Sequence, residues 1–275
     1  MKTLVIGGEG MLGQDLVALS TEIDPVVGVD ISDGDVTQYD DVKKLVEEHR
    51  PDQVILTAAW TDVDGAETHV EACRAVNVLG AKNVGRVCKD NNIPVLYIST
   101  DYVFSKEGPR PHGEDDPHEP INVYGQSKSD GEESLRQSGA EWIVVRCSWL
   151  FGKKGKSFPK TMLALAKKND SLKVVNDQIG APTYTGHLAI GLLAILKKGL
   201  RGSLQLAATG QTSWCGLAQE VFEQAGVKTA VHPVSTTQFP RPAQRPRWSV
   251  LSLKRCQEAG IELPSWQEGV GDWLR

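Results

Sequence analysis

The sequence predicts an α/β chain built on a doubly wound parallel sheet, with a smaller lobe toward its C-terminus. Short apolar runs alternate with amphipathic stretches through the first 150 positions, the runs are apolar on both faces, and glycines close the first of them. Strands buried on both sides belong in parallel sheets covered by helices, and repeated β-α units with right-handed crossovers wind such sheets from the middle outward.

In order, Thr3-Leu4-Val5-Ile6 reads as the first strand, and a helix is expected over 11–19. Further strands are expected at 26–30, 54–57, 95–98 and 142–145, separated by helices over 41–48, 67–89 and 124–137. Beyond Trp149 the pattern changes. Lys153-Lys154-Gly155-Lys156 reads as a basic loop, helices are expected over 185–197 and 214–224, and prolines crowd 239–246. The chain therefore divides into a dinucleotide-binding unit over 1–150 and, over 151–275, mainly a smaller substrate lobe, with room for segments that return to the first unit. That lobe should close over the carboxyl ends of the strands, where open α/β sheets bind ligands.

Composition narrows the classes. At 275 residues and 40% hydrophobic the chain can bury a large core. A net charge of -5 disfavours nucleic acid, whose phosphates reward a basic surface. Cys73, Cys88, Cys147, Cys215 and Cys256 are scattered and lack CxxC spacing, as in reduced cytoplasmic proteins without a zinc site. The opening apolar run is too short for a secretion signal, and the apolar stretch over 188–196 falls below the ~20 residues that span a bilayer. A cytoplasmic protein with no membrane partner is expected.

Three motifs carry chemistry. Gly7-x-x-Gly10-x-x-Gly13, straight after the first strand, lets the backbone from Gly7 through Met11 and Leu12 to Gly13 approach a pyrophosphate at a helix N-terminus. Asp30 ends the second strand, where a carboxylate suits the adenosine ribose and repels a 2′-phosphate, a lean toward NADH over NADPH. Tyr124 and Lys128, at i and i+4, share one helical face after a strand ending Ser99-Thr100. An ammonium beside a phenol should lower its pKa, so Tyr124 is expected to exchange a proton while Thr100 holds the substrate oxygen. Arg241, Arg245 and Arg247 offer planar forks suited to a diphosphate. The cluster His112, Glu114, Asp115, Asp116, His118 and Glu119 is broken by prolines and glycine, and reads as a solvated lid over 106–120 rather than a metal site.

Longer strings carry a resemblance. They include Ala58-Ala59-Trp60-Thr61-Asp62-Val63-Asp64, Ser99-Thr100-Asp101-Tyr102-Val103-Phe104, Val123-Tyr124-Gly125-Gln126-Ser127-Lys128, Arg146-Cys147-Ser148-Trp149, Asn176-Asp177-Gln178-Ile179-Gly180-Ala181-Pro182-Thr183 and Arg245-Pro246-Arg247-Trp248-Ser249. On these, nearly end to end, the chain resembles the extended short-chain dehydrogenase/reductases of Rossmann type, and among them the dTDP-4-dehydrorhamnose reductases. The resemblance implies reduction by NADPH or NADH of the 4-keto group of a dTDP-linked 6-deoxyhexose, with Thr100, Tyr124 and Lys128 catalytic. It places Thr61, Val63, Thr100, Asp101, Tyr102 and Trp149 around the sugar, and Arg245, from the arginine forks above, is the substrate candidate at its diphosphate. Trp149 would offer it an apolar face. Ala58, Ala59 and Ser99 would line the cofactor, and Asn77 is a further family-like position. Some family members bridge a dimer with magnesium; Asp15 is suitably placed, but Gly186-His187 stand where an acidic residue is expected and the C-terminal run Asp272-Trp273-Leu274-Arg275 has no obvious match, so a monomer or a homodimer without the metal is expected. A nucleotide-sugar epimerase or dehydratase remains open. So does a non-catalytic regulatory subunit like the β subunit of methionine adenosyltransferase, which the intact Thr100, Tyr124 and Lys128 disfavour.

Overall fold

The computed structural model describes residues 1–105, 108 and 110–275. Its centre is a six-stranded sheet, parallel throughout. The strands are β1 (Thr3–Ile6), β2 (Val26–Val29), β3 (Gln53–Leu56), β4 (Val95–Thr100), β5 (Trp142–Cys147) and, from the second half of the chain, Gly202–Gln205. Across the sheet the order is Gly202–Gln205, β5, β4, β3, β1, β2. The winding reverses between β1 and β3, and such a reversal leaves a crevice at the carboxyl ends of the strands.

Alternation along each strand supplies two cores. Leu4, Ile6, Val54 and Leu56 face one layer with Val84, Val87 and Cys88. Val5, Ile55, Leu96 and Ile143 face the other with Leu188, Leu192 and Ile195. A third core, built on Phe151, Leu217, Val221, Phe222, Trp266 and Trp273, lies under the C-terminal elements. There a parallel pair, Ser171–Val175 with Ala230–Val234, packs beside the helix Trp214–Gln224.

The strands expected from sequence appear within a residue or two of their places, as do most helices. The helix expected over 67–89 begins at Val70 and continues to Asp90, but it is not one regular α-helix: a π-helical turn, Ala75–Leu79, stands between Val70–Arg74 and Gly80–Asp90. The wider turn places Asn77, 1% exposed, so that Nδ2 donates to Ser127 Oγ (2.8 Å) and Oδ1 accepts from the Trp60 backbone (2.8 Å). Asn77 thus braces the loop after β3 from behind. The basic run 153–156 leads into an unanticipated helix, Phe158–Ala166, whose Pro159 suits the first turn.

The reading of 106–120 as a solvated lid needs correction. Lys106, Glu107 and Pro109 lie outside the described residues, but His112 is 4% exposed and stacked on Phe104 at 4.7 Å. Its backbone N–H donates to Val250 O (2.8 Å). His118 reaches the buried Arg146, its Nε2 2.8 Å from Nη2. Periodicity could not reveal this, because the groups that bury the segment come from remote parts of the chain. Among the described residues, no group of three or more His, Cys, Asp or Glu is placed to hold a metal ion, and no helix is long and apolar enough to cross a membrane.

Candidate active site

A cleft of about 770 Å³ opens at the carboxyl ends of the central strands, within the ~300–1,000 Å³ range of ligand sites. Its floor is the glycine turn. Gly7 has φ +99°, and a Cβ there would stand 2.4 Å from the Ala58 nitrogen; one on Gly13 would stand 2.1 Å from Gly7 O. Turn and helix therefore pack backbone to backbone. Gly10 precedes the helix Met11–Val17, and a Cβ on it would meet only Gly7 O, at 3.2 Å. Gly10, Met11, Leu12 and Gly13 all line the cleft, so the first turn of this helix faces it, which fits a pyrophosphate. Asp30 sits at the rim, with Oδ2 accepting from Glu9 N and Oδ1 from Ile31 N, both at 2.9 Å. Its neighbours on the wall, Ile31, Gly34, Asp35 and Val36, add a carboxylate and no cation.

The helix Val123–Gln137 forms the facing wall. Asn122 caps it by accepting from Gly125 N (2.7 Å), which puts Tyr124 in the first turn and Lys128 one turn on. Gly125 permits close docking, since a Cβ would lie 2.3 Å from Tyr102 O. Thr100 Oγ1 donates to Asp101 Oδ1 (3.0 Å) and accepts from Tyr102 N (3.2 Å). Lys128, 2% exposed, donates to Ile98 O (2.7 Å) and lies 3.9 Å from the Tyr97 ring centre.

Protonation runs against the expected direction. Burial holds the Tyr124 phenol well above its usual pKa, with neighbouring Cys147 adding to the rise and Thr100 opposing it. Burial also lowers Lys128 to about 7 and lifts Asp101 to about 7. The ammonium that was to acidify the phenol is itself destabilised by desolvation and is turned toward a carbonyl and a ring.

All the expected cofactor positions line this cleft: Gly7, Gly10, Met11, Leu12, Gly13, Asp30, Ala58, Ala59, Ser99, Tyr124 and Lys128. Of the substrate set, Thr61, Thr100, Asp101 and Trp149 join them, whereas Val63, Tyr102 and Arg245 stand off the wall. Tyr102 is near, its ring 6.0 Å from that of Tyr124. Arg245 Nη1 and Nη2 donate to the two oxygens of Asp64, each at 3.0 Å, and Arg241 shares the same carboxylate at 2.6 Å. Trp149 has φ +48°, a left-handed backbone that costs a bulky residue about 1–3 kcal/mol and persists only where its surroundings impose it.

A family model described as the RmlD substrate binding domain matches residues 1–275. The chain belongs to this family. It is 35% identical to a dTDP-4-dehydrorhamnose reductase of Burkholderia thailandensis, covering 100% of this chain and 98% of that one. It is 36% identical to a dTDP-4-keto-6-deoxy-D-glucose reductase of Streptomyces niveus, covering 94% and 91%. The solved structure of a Bacillus anthracis dTDP-4-dehydrorhamnose reductase in complex with NADP superposes with a TM-score of 0.96 at 34% identity, covering 99% and 98%.

Sequence reasoning missed several parts of this RmlD-family site. Cys147 lines the cleft, and the loop carrying Gly34 to Val36 extends it beyond Asp30; Lys156, from the basic run 153–160 that the sequence offered for a phosphate, lines it too. Glu132, four residues after Lys128, is fully buried. It accepts from Ser99 Oγ (2.6 Å), Arg146 Nε (2.9 Å) and Arg136 Nη2 (2.7 Å). The i+4 spacing from Tyr124 through Lys128 to Glu132 was the one available signal.

Proposed function

We propose that this chain reduces the 4-keto group of a dTDP-linked 6-deoxyhexose with NAD(P)H, giving dTDP-L-rhamnose. The observation that carries this reading is the meeting of Thr100, Tyr124 and Lys128 with the glycine turn around one cleft. When bound, the reduced nicotinamide supplies hydride to the carbonyl carbon. Thr100 holds the carbonyl oxygen, and Tyr124 donates the proton that completes the alcohol. A phenol held protonated by burial suits an acid in this direction, and Lys128, one helical turn on in the same cleft, donates to the nicotinamide ribose. The glycine turn with Met11 and Leu12 holds the pyrophosphate, Asp30 the adenosine ribose, and Ala58, Ala59 and Ser99 the rest of the dinucleotide.

Thr61, Val63, Asp101, Tyr102 and Trp149 surround the sugar. Two guanidiniums share one Asp64 carboxylate, which leaves a net positive charge by Arg245 for the sugar's diphosphate. Residues 151–275 act mainly as the substrate lobe, and the chain works as a monomer or a homodimer without bridging magnesium. Reductases at 35–36% identity over nearly the full length support this reading over an epimerase or a regulatory subunit.

The test is NADH and NADPH oxidation with the enzymatically made keto-sugar. Tyr124→Phe should lower turnover by at least about a hundredfold while dinucleotide binding persists. Asp30 favours NADH as the better of the two donors. Turnover unchanged in Tyr124→Phe rejects the role given to Tyr124.

A further inference from the structure

The string Asn176-Asp177-Gln178-Ile179-Gly180-Ala181-Pro182-Thr183 lines no part of the cleft, yet its groups converge on Trp149, which does. The Trp149 indole is stacked on that of Trp214, with centroids 3.6 Å apart and planes 3° from parallel. Trp214 is fixed in turn: its Nε1 donates to Gln178 Oε1 (3.0 Å), and Phe158 packs on it at 4.8 Å. At the backbone, Thr183 N donates to Trp149 O (3.2 Å), and Ser148 Oγ donates to Ala181 O (2.7 Å).

Gly180 covers the opposite face of the Trp149 ring. A Cβ on Gly180 would lie 2.5 Å from Trp149 Cε2 and 2.7 and 2.8 Å from the flanking Nε1 and Cζ2. Near-equal distances to three consecutive ring atoms place that point over the ring face rather than beyond its edge. With Trp214 only 3.6 Å away, the same point on the Trp214 side would meet Trp214 atoms first, and it does not. The φ of Gly180 is not positive, so the close approach alone accounts for glycine there.

We propose that this string is a holder for Trp149, with Gly180 and Trp214 as its two jaws and Gln178 steadying Trp214, and that Trp149 therefore meets the nucleotide-linked sugar with its rim rather than its face. The inference rests on the nucleotide-sugar reading of the cleft and assigns Gly180, Gln178 and Trp214 as positioning residues. With both faces covered, the part of the ring left to the cleft is its edge. An aromatic edge carries the positive side of the ring quadrupole, so it suits sugar hydroxyl or carbonyl oxygens and not a C–H face.

Two closely stacked indoles give an exciton couplet in far-ultraviolet circular dichroism, and Trp149→Phe identifies it by removing it. In Gly180→Ala the added methyl must displace the ring. The couplet should shift, and kcat/KM for the keto-sugar should fall at least about tenfold, mainly through KM, since small misplacements of positioning groups are costly. The dissociation constant for NADH should stay unchanged. Gln178→Leu, which keeps volume but removes the Trp214 partner, should move couplet and KM the same way to a smaller extent, and it serves if Gly180→Ala does not fold. A couplet and KM both unaltered in Gly180→Ala overturn the proposal, as does a shifted couplet with unaltered KM or an equal loss of NADH affinity. If the unaltered chain does not turn over the keto-sugar, the functional reading falls, while the couplet still decides whether Gly180 and Gln178 hold Trp149.

Discussion

At Asp101 the carboxyl is 2% exposed, and burial lifts it to about 7 against the opposing hydrogen bonds of Ser249 and Thr100. Between the unfolded value near 3.8 and that folded value, the native state holds a proton that the unfolded chain has released. The stability this group contributes is therefore complete below pH ~4 and is lost as pH rises through ~7. Asp101→Asn cannot ionise, so its stability relative to the unaltered chain should improve by on the order of 2 kcal/mol between pH 5 and pH 8. Denaturant melts at the two pH values measure this; equal differences at both would mean that Asp101 does not titrate in that interval. At this scale the residue types were legible in the sequence and their protonation was not. Lys128 and Tyr124 were readable as a pair from their spacing, but desolvation, set by what packs around them, reverses the expected direction of the phenol.

The helix Val123–Gln137 and strand β4 meet through Glu132. One carboxylate, fully buried, joins Ser99 on the strand, Arg146 on β5 and Arg136 on its own helix, and so sets the distance between Thr100 and Tyr124. Arg146 is 1% exposed, and its other nitrogen donates to Glu114 O (2.9 Å). Glu132→Ala would leave that guanidinium buried without its counter-charge, and unfolding free energy should drop by about 3–5 kcal/mol. Urea titration tests it: a loss under ~1 kcal/mol would show that water or a rearranged neighbour compensates. Element boundaries were mostly readable, because apolar runs and the Asn122 cap act locally. The helix Trp266–Leu274 could also have been read, from the Ser265 and Glu268 capping box that opens it. The π-turn Ala75–Leu79 could not, since its contacts come from Trp60 and Ser127.

Across the whole molecule all five cysteines are buried as free thiols, Cys88, Cys147, Cys256 and Cys215 within the three cores and Cys73 beside Ser127. Burial raises each of them, Cys88 and Cys147 to about 12 and Cys256 to about 11, so little thiolate exists at neutral pH. A chromogenic disulfide should therefore find no fast-reacting thiol in the native protein and five after unfolding in guanidinium. Cys147 lines the cleft, so it should be the first to react on slow opening. Rapid native labelling of Cys88 would contradict the packing of the first core. An odd, scattered set of cysteines pointed to free thiols; only the assembled cores make them inert.

The sequence alone determined the parallel sheet, the glycine turn after β1 and the helical spacing of Tyr124 and Lys128, because strand burial, turn chemistry and helix periodicity are local properties of the chain. Tertiary structure decided the pairing of Asp64 with Arg245, the return of Gly202–Gln205 to the sheet edge, the burial of His112 and the clasp around Trp149. Each of these joins residues remote in the chain, and such contacts, with the desolvation they impose, are fixed only when the layers close on one another.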